Sequence, residues 1–146
     1  CIRDSNHGAG LSSRILKVQS LALKTSVIIC TLPVLLGLFV PNLFTYIFLE
    51  PTSKILTLAA PAIRIYFTGF LFLGINMVFI CYFQSVAKSV QSLSLCLLRG
   101  CILVVAFVYI LPVFFGSTGI WLAFPAAEFL TMIVGICFYR QDLKAY

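Results

Sequence analysis

Three long stretches of the chain carry no charged residue: Thr25 to Leu49, Ile65 to Ala87 and Gly100 to Ala127. A helix needs about 20 apolar residues to cross a hydrocarbon core of roughly 30 Å. Each of the first two stretches supplies one span. The third contains Gly116-Ser117-Thr118-Gly119 behind Pro112, a turn signal that divides it between the end of one span and the start of the next. The pattern predicts four transmembrane helices, near 22–48, 59–86, 91–113 and 119–139, with outer loops near 50–58 and 114–118. The fold class is all-α, a polytopic membrane protein with no room for a separate soluble domain. Transmembrane strands do not fit, because barrel strands are alternating segments of about ten residues and these apolar runs are far longer.

Composition agrees with the pattern. Of 146 residues, 62% are hydrophobic and 10% charged, against about 45–50% and roughly 25% in soluble domains. Fourteen charges cannot cover the surface of a soluble domain, and the fourteen Phe suit lipid-facing helices. The net charge of +6 therefore bears on topology, and nucleic acid is not an expected partner. Lys and Arg favour the cytoplasmic side of short loops. With four spans, one side collects Arg3, Arg14, Lys17, Lys24, Lys88, Arg140 and Lys144, and the other has Lys54 alone. Both termini are expected in the cytoplasm of a multi-pass cell-membrane protein, inner or plasma membrane, with the lipid bilayer as its first partner.

The first segment is the most polar. Ser12 or Ser13 can cap a helix, from which Ser13, Arg14, Lys17, Ser20 and Lys24 share one face at 100° per residue. Such a face suits an anionic leaflet, and serves equally as a plain topology signal. Five of the six cysteines, Cys30, Cys81, Cys96, Cys101 and Cys137, fall among Leu, Ile, Val and Phe. They are expected as small apolar packing residues. His7 is the only histidine, so no metal centre and no cofactor are expected. The acids are Asp4, Glu50, Glu128 and Asp142. With no His/Asp pair and no phosphate-binding glycine loop, acid–base catalysis has almost nothing to use, and an enzyme is not expected.

Polar residues within the spans carry the functional information, since they persist there only where they face protein or water. In the second span Thr68, Gly69 and Asn76 share a side. In the third, Ser92, Cys96, Arg99, Leu103 and Ala106 form a stripe, and in the fourth Trp121, Glu128, Thr131 and Gly135 do the same. Asn76, Thr68 and Trp121 are the candidates for a substrate cavity. Arg99 and Glu128 lie at similar depths on consecutive antiparallel helices joined by a tight turn, and are candidates for a buried charge pair. Two readings of that pair stand: a polar lock between the helices, or a cation or proton site on Glu128. Pro33 and Pro125 fall inside spans and are expected to kink them.

The order of motifs resembles one family. Asn6-His7-Gly8-Ala9 followed by Arg14 resembles the N-x-G-A…R junction before the ninth helix of multidrug and toxic compound extrusion (MATE) transporters. Pro61-Ala62-Ile63-Arg64-Ile65-Tyr66 is similar to the start of their tenth helix, and Tyr82-Phe83-Gln84-Ser85 to its end, with Ser85 in place of a common Gly. Leu97-Leu98-Arg99 resembles the eleventh helix. Gly119-Ile120-Trp121-Leu122-Ala123-Phe124-Pro125-Ala126-Ala127-Glu128 is similar to the G-x-W-x-A-x-P-x-[AS]-[DE] start of the twelfth.

The resemblance implies that residues 1–146 are part of the six-helix C-terminal lobe of such a transporter, helices nine to twelve, which would account for a chain opening on Cys1. It implies a secondary antiporter with two lobes around a central cavity, exporting cationic or amphipathic drug-like compounds in exchange for Na+ or H+. The partners implied are those substrates, the coupling ion and the missing N-terminal part. An acidic coupling residue that some subfamilies carry in helix ten has no counterpart here, where Arg64 is the region's only charge. Two alternatives stand beside this reading: a lipid-linked oligosaccharide flippase of the same superfamily, and a non-transporting four-helix membrane scaffold.

Overall fold

A computed structural model describes residues 12–48 and 53–144, and their side chains over 17–47 and 56–143. Cys1, Arg3, Asn6 to Ala9 and Glu50 lie outside the described residues, as do the side chains of Ser13, Arg14, Lys54 and Lys144. The described residues are almost entirely helical, without strands. They form α1 (Ser12–Phe39), α2 (Pro41–Phe48), α3 (Ser53–Ser85), α4 (Ser89–Leu97), a π-turn (Leu98–Ile102), α5 (Leu103–Phe115) and α6 (Ser117–Lys144). Four stretches are long and apolar enough to cross a membrane: Lys17–Phe39, Leu56–Ser85, Ser89–Phe115 and Ser117–Leu143.

Several boundaries depart from the sequence expectation. The first predicted span is two helices, because Pro41 cannot donate to the carbonyl four residues back and the chain breaks at Val40. Pro41 then takes the first position of α2, where its missing N–H costs nothing. Helix α1 runs uninterrupted through Pro33, and α6 through Pro125. The predicted loop at 50–58 is helical from Ser53 onward, and that at 114–118 shrinks to Gly116. The third span contains the π-turn, in which the Leu103 N–H donates to Leu98 O, five residues back.

Contacts fix the order of the helices. Gly37 of α1 meets Phe67 of α3, and Ser26 and Cys30 meet Gly74, so α1 and α3 run antiparallel. Rising numbers pair with rising numbers between α3 and α6: Tyr66 with Phe124, Phe72 with Phe129, Phe79 with Tyr139. These two helices are therefore parallel neighbours, although they are not consecutive. Glycines admit the close approach: Gly69 faces Phe124 and Pro125, and Gly135 faces Phe79. Small residues at such contacts are how spans pack where no water drives them together. About a third of the α3 and α6 span positions are buried, against 6% for α1 and for the α4–α5 span. The bundle is accordingly a row, with α3 and α6 in the middle and α1 and α4–α5 on the flanks.

The turns are built differently. At the end of α3, Ala87 takes φ 57° and Lys88 N–H donates to Phe83 O at 2.8 Å, closing the helix through a left-handed residue as glycine usually does. Between α5 and α6, Gly116 also takes φ 57°. A Cβ on Gly119 would lie 2.4 Å from the Leu111 carbonyl carbon, so only glycine lets α6 start against that backbone. The expectation of packed cysteines holds for Cys30 alone. Cys81, Cys96, Cys101 and Cys137 are exposed, and all five are free thiols.

Candidate functional site

The most buried polar cluster joins three spans. Glu128 on α6 is 1% exposed and Asn76 on α3 fully buried. The Asn76 amide gives one N–H to Glu128 Oε2 at 2.7 Å and reaches the Glu128 main-chain carbonyl at 2.8 Å. Arg99, in the π-turn, donates from Nε to Glu128 Oε1 at 3.0 Å, with Nη2 2.9 Å from the same oxygen. Its Nη1 donates to Met77 Sδ at 2.9 Å. Glu128 therefore has donors on both oxygens, as a buried carboxylate requires. The parallel α3–α6 contact delivers Asn76, and the tight α5–α6 turn delivers Arg99. The Oδ1 of Asn76 is buried with no hydrogen-bond partner.

The other candidates lie apart from this cluster. Thr68 is eight residues earlier on α3, about 12 Å along the axis at 1.5 Å per residue, and its hydroxyl donates to Ile65 O in its own helix at 2.6 Å. Trp121 is 45% exposed. Seven residues before Glu128, Trp121 is on the same side of α6 at 100° per residue, but about two turns from it and outside the buried line that runs through Ala123, Ala127, Glu128, Thr131 and Gly135. On α4, Cys96 is exposed, and Ser92 and Leu95 are the buried positions. Arg64 donates to Leu38 O at 3.2 Å. It thereby places a cation at the carbonyl end of α1, where the helix dipole favours it.

A second polar cluster escaped the sequence reading. Tyr82 donates to Asp142 Oδ2 at 2.5 Å, and the Lys88 ammonium pairs with Asp142 Oδ1. Asp142 is 4% exposed. A groove of about 250 Å³ adjoins it, lined by Phe83, Lys88, Gln91, Ser94, Phe138 and Gln141 among others. Tyr82 stood in the Tyr-Phe-Gln-Ser motif, and Lys88 and Asp142 fall at the same predicted end of the bundle. Those two facts were the available signal. Among the described residues no three His, Cys, Asp or Glu side chains come together as metal ligands.

Taken together, the chain offers a buried ionic lock at mid-span, a latch at the α3–α4 end, and apolar faces on both flanks. Against family models, curated proteins and solved structures, the chain finds no match in any of the three comparisons.

Proposed function

We propose that this chain is part of the C-terminal lobe of a MATE-type secondary antiporter, which exports cationic or amphipathic compounds in exchange for Na+ or H+. The observation that carries the reading is the meeting of two of the resembling motifs. Arg99 closes Leu97-Leu98-Arg99 and Glu128 closes Gly119 to Glu128, and the two side chains pair at 2.9 Å. Segments that resemble successive helices of one lobe are thus packed as successive helices. The π-turn at Arg99 adds support, since such turns inside α-helices concentrate at functional sites. The antiport cycle belongs to the whole two-lobed carrier. The part assigned to these residues is to hold one wall of its lobe rigid through α3 and α6.

The test is efflux from cells that lack their own drug pumps and express the complete reading frame containing this chain. Ethidium accumulation should fall relative to empty vector, and collapsing either the Na+ or the proton gradient should restore it. Equal accumulation, with the protein verified in the membrane, would refute the proposal. A lipid-linked oligosaccharide flippase is the second reading. The observation favouring it is a guanidinium at mid-span whose donors are only partly used.

A further inference from the structure

Arg99 sits three residues before the centre of the span Ser89–Phe115. A guanidinium has five N–H donors and no acceptor. Its Nε donates to Glu128 Oε1, Nη2 lies 2.9 Å from the same oxygen, and Nη1 donates to Met77 Sδ, a thioether that accepts only weakly. Among the described residues nothing else accepts from it, and the side chain is 17% exposed while Glu128 behind it is 1% exposed. Hydrocarbon offers no acceptor, and charged groups persist at that depth only beside protein, water or a partner. The arrangement also has a direction. Glu128, itself fixed by the Asn76 amide, holds Arg99 by its inner edge, and both residues are buried. Its outer edge, next to the exposed Met77, is left towards whatever lies against the bundle.

We propose that this outer edge of Arg99 binds the oxyanion of an amphipathic small molecule, a carboxylate or a phosphate ester, with Met77 and neighbouring apolar side chains against its hydrophobic part. Planar, paired N–H groups match the two oxygens of such groups better than a Lys ammonium does. Glu128 and Asn76 are positioning residues, fixing the guanidinium without touching the ligand. The site deepens the transport reading, on which it rests for having a small molecule as its occupant. It adds an acceptor group to a substrate class so far described as cationic or amphipathic.

The test is equilibrium binding to the full protein in neutral phosphatidylcholine nanodiscs, without an ion gradient. The probes are pyrenebutyrate, pyrenebutanol and pyrenebutylamine, followed through pyrene anisotropy. Pyrenebutyrate should bind tighter than the other two by about tenfold, the ratio that one charge-assisted hydrogen bond supplies. Arg99→Lys, which keeps the charge and loses the fork, should shrink that preference. Met77→Gln, whose amide oxygen can occupy Nη1 from within, should leave the protein folded and weaken pyrenebutyrate more than the alcohol and the amine, which lose only the shared apolar contact. Equal affinities, a preference for the amine, or a preference untouched by both variants would overturn the site. Competition with dodecanoate and with farnesyl pyrophosphate identifies the source of the oxyanion. Displacement by either supports the site, and displacement by neither overturns it. Because no gradient is present, binding without efflux removes the transport reading and keeps the site, and efflux without this selectivity does the reverse.

Discussion

At the scale of single residues, Glu128 sets the terms. A carboxylate at 1% exposure among apolar helices is tolerated only with donors on its oxygens and a countercharge beside it. Asn76 supplies the one and Arg99 the other. Removing a single member of the charge pair leaves its partner buried and uncompensated, at a cost of about 3–5 kcal/mol. Arg99→Leu and Glu128→Leu should each reduce folded protein in the membrane sharply, and the double variant should recover much of the loss. A double-mutant cycle on thermal stability measures the coupling, and additive single effects would refute the lock. Asn76→Leu should cost less, about 1–3 kcal/mol, because it removes a donor but also the unpartnered Oδ1. The Arg99–Glu128 proximity was open to reasoning from depth and from the tight turn between consecutive helices. Asn76 was not, because its helix is the second span and that of Glu128 the fourth, and a hydropathy pattern does not show which non-consecutive spans touch.

At the scale of elements, apolar run length made the four spans legible, and the errors fall where the punctuation is weak. Cys96 to Val104 holds only one charge, and nothing in that run announces a π-turn. The Val40 break was hidden inside an apolar stretch whose only marker is Pro41. Backbone detail yields two predictions of opposite sign. Ala87 occupies a left-handed conformation that costs a residue with a Cβ about 1–2 kcal/mol. Ala87→Gly should therefore raise the melting temperature of the purified protein. Gly119→Ala should lower it, since the added methyl meets the Leu111 and Pro112 backbone at 2.4–2.6 Å. Backbone cannot give way as a side-chain tip can, and overpacking of this kind costs about 1–3 kcal/mol. The direction of the spans follows from the Lys and Arg bias and has its own test. Cysteines placed at Ser53 and Ser117, in a background without native cysteines, should react with an impermeant maleimide on intact cells. Labelling only after the cells are opened would reverse the topology.

At the scale of the whole molecule, the row of helices explains what these residues can do alone. Only α3 and α6 have neighbours on both sides, and the flanking helices expose Ile28, Leu32, Phe39, Tyr109, Val113 and Phe114. In a bilayer such faces meet lipid or further helices at little cost, because lipid tails are as apolar as the side chains. What a row lacks is an enclosure. The polar groups at mid-span point inward to one another, except for the outer edge of Arg99, and the described helices surround no central passage. A carrier that alternates access needs a second body to rock against the first around a fixed site. The 146-residue stretch expressed by itself should therefore reach the membrane but leave ethidium accumulation equal to that of empty vector. Expression of the complete reading frame should lower it. Efflux from the short chain, above vector and lost when it is kept monomeric in a tandem-blocked fusion, would mean that several copies close the row into a passage. That result would replace the lobe reading with a small oligomeric exporter. The burial pattern argues against it, since the exposed flanks carry aliphatic and aromatic side chains rather than the polar lining that a passage between copies would need.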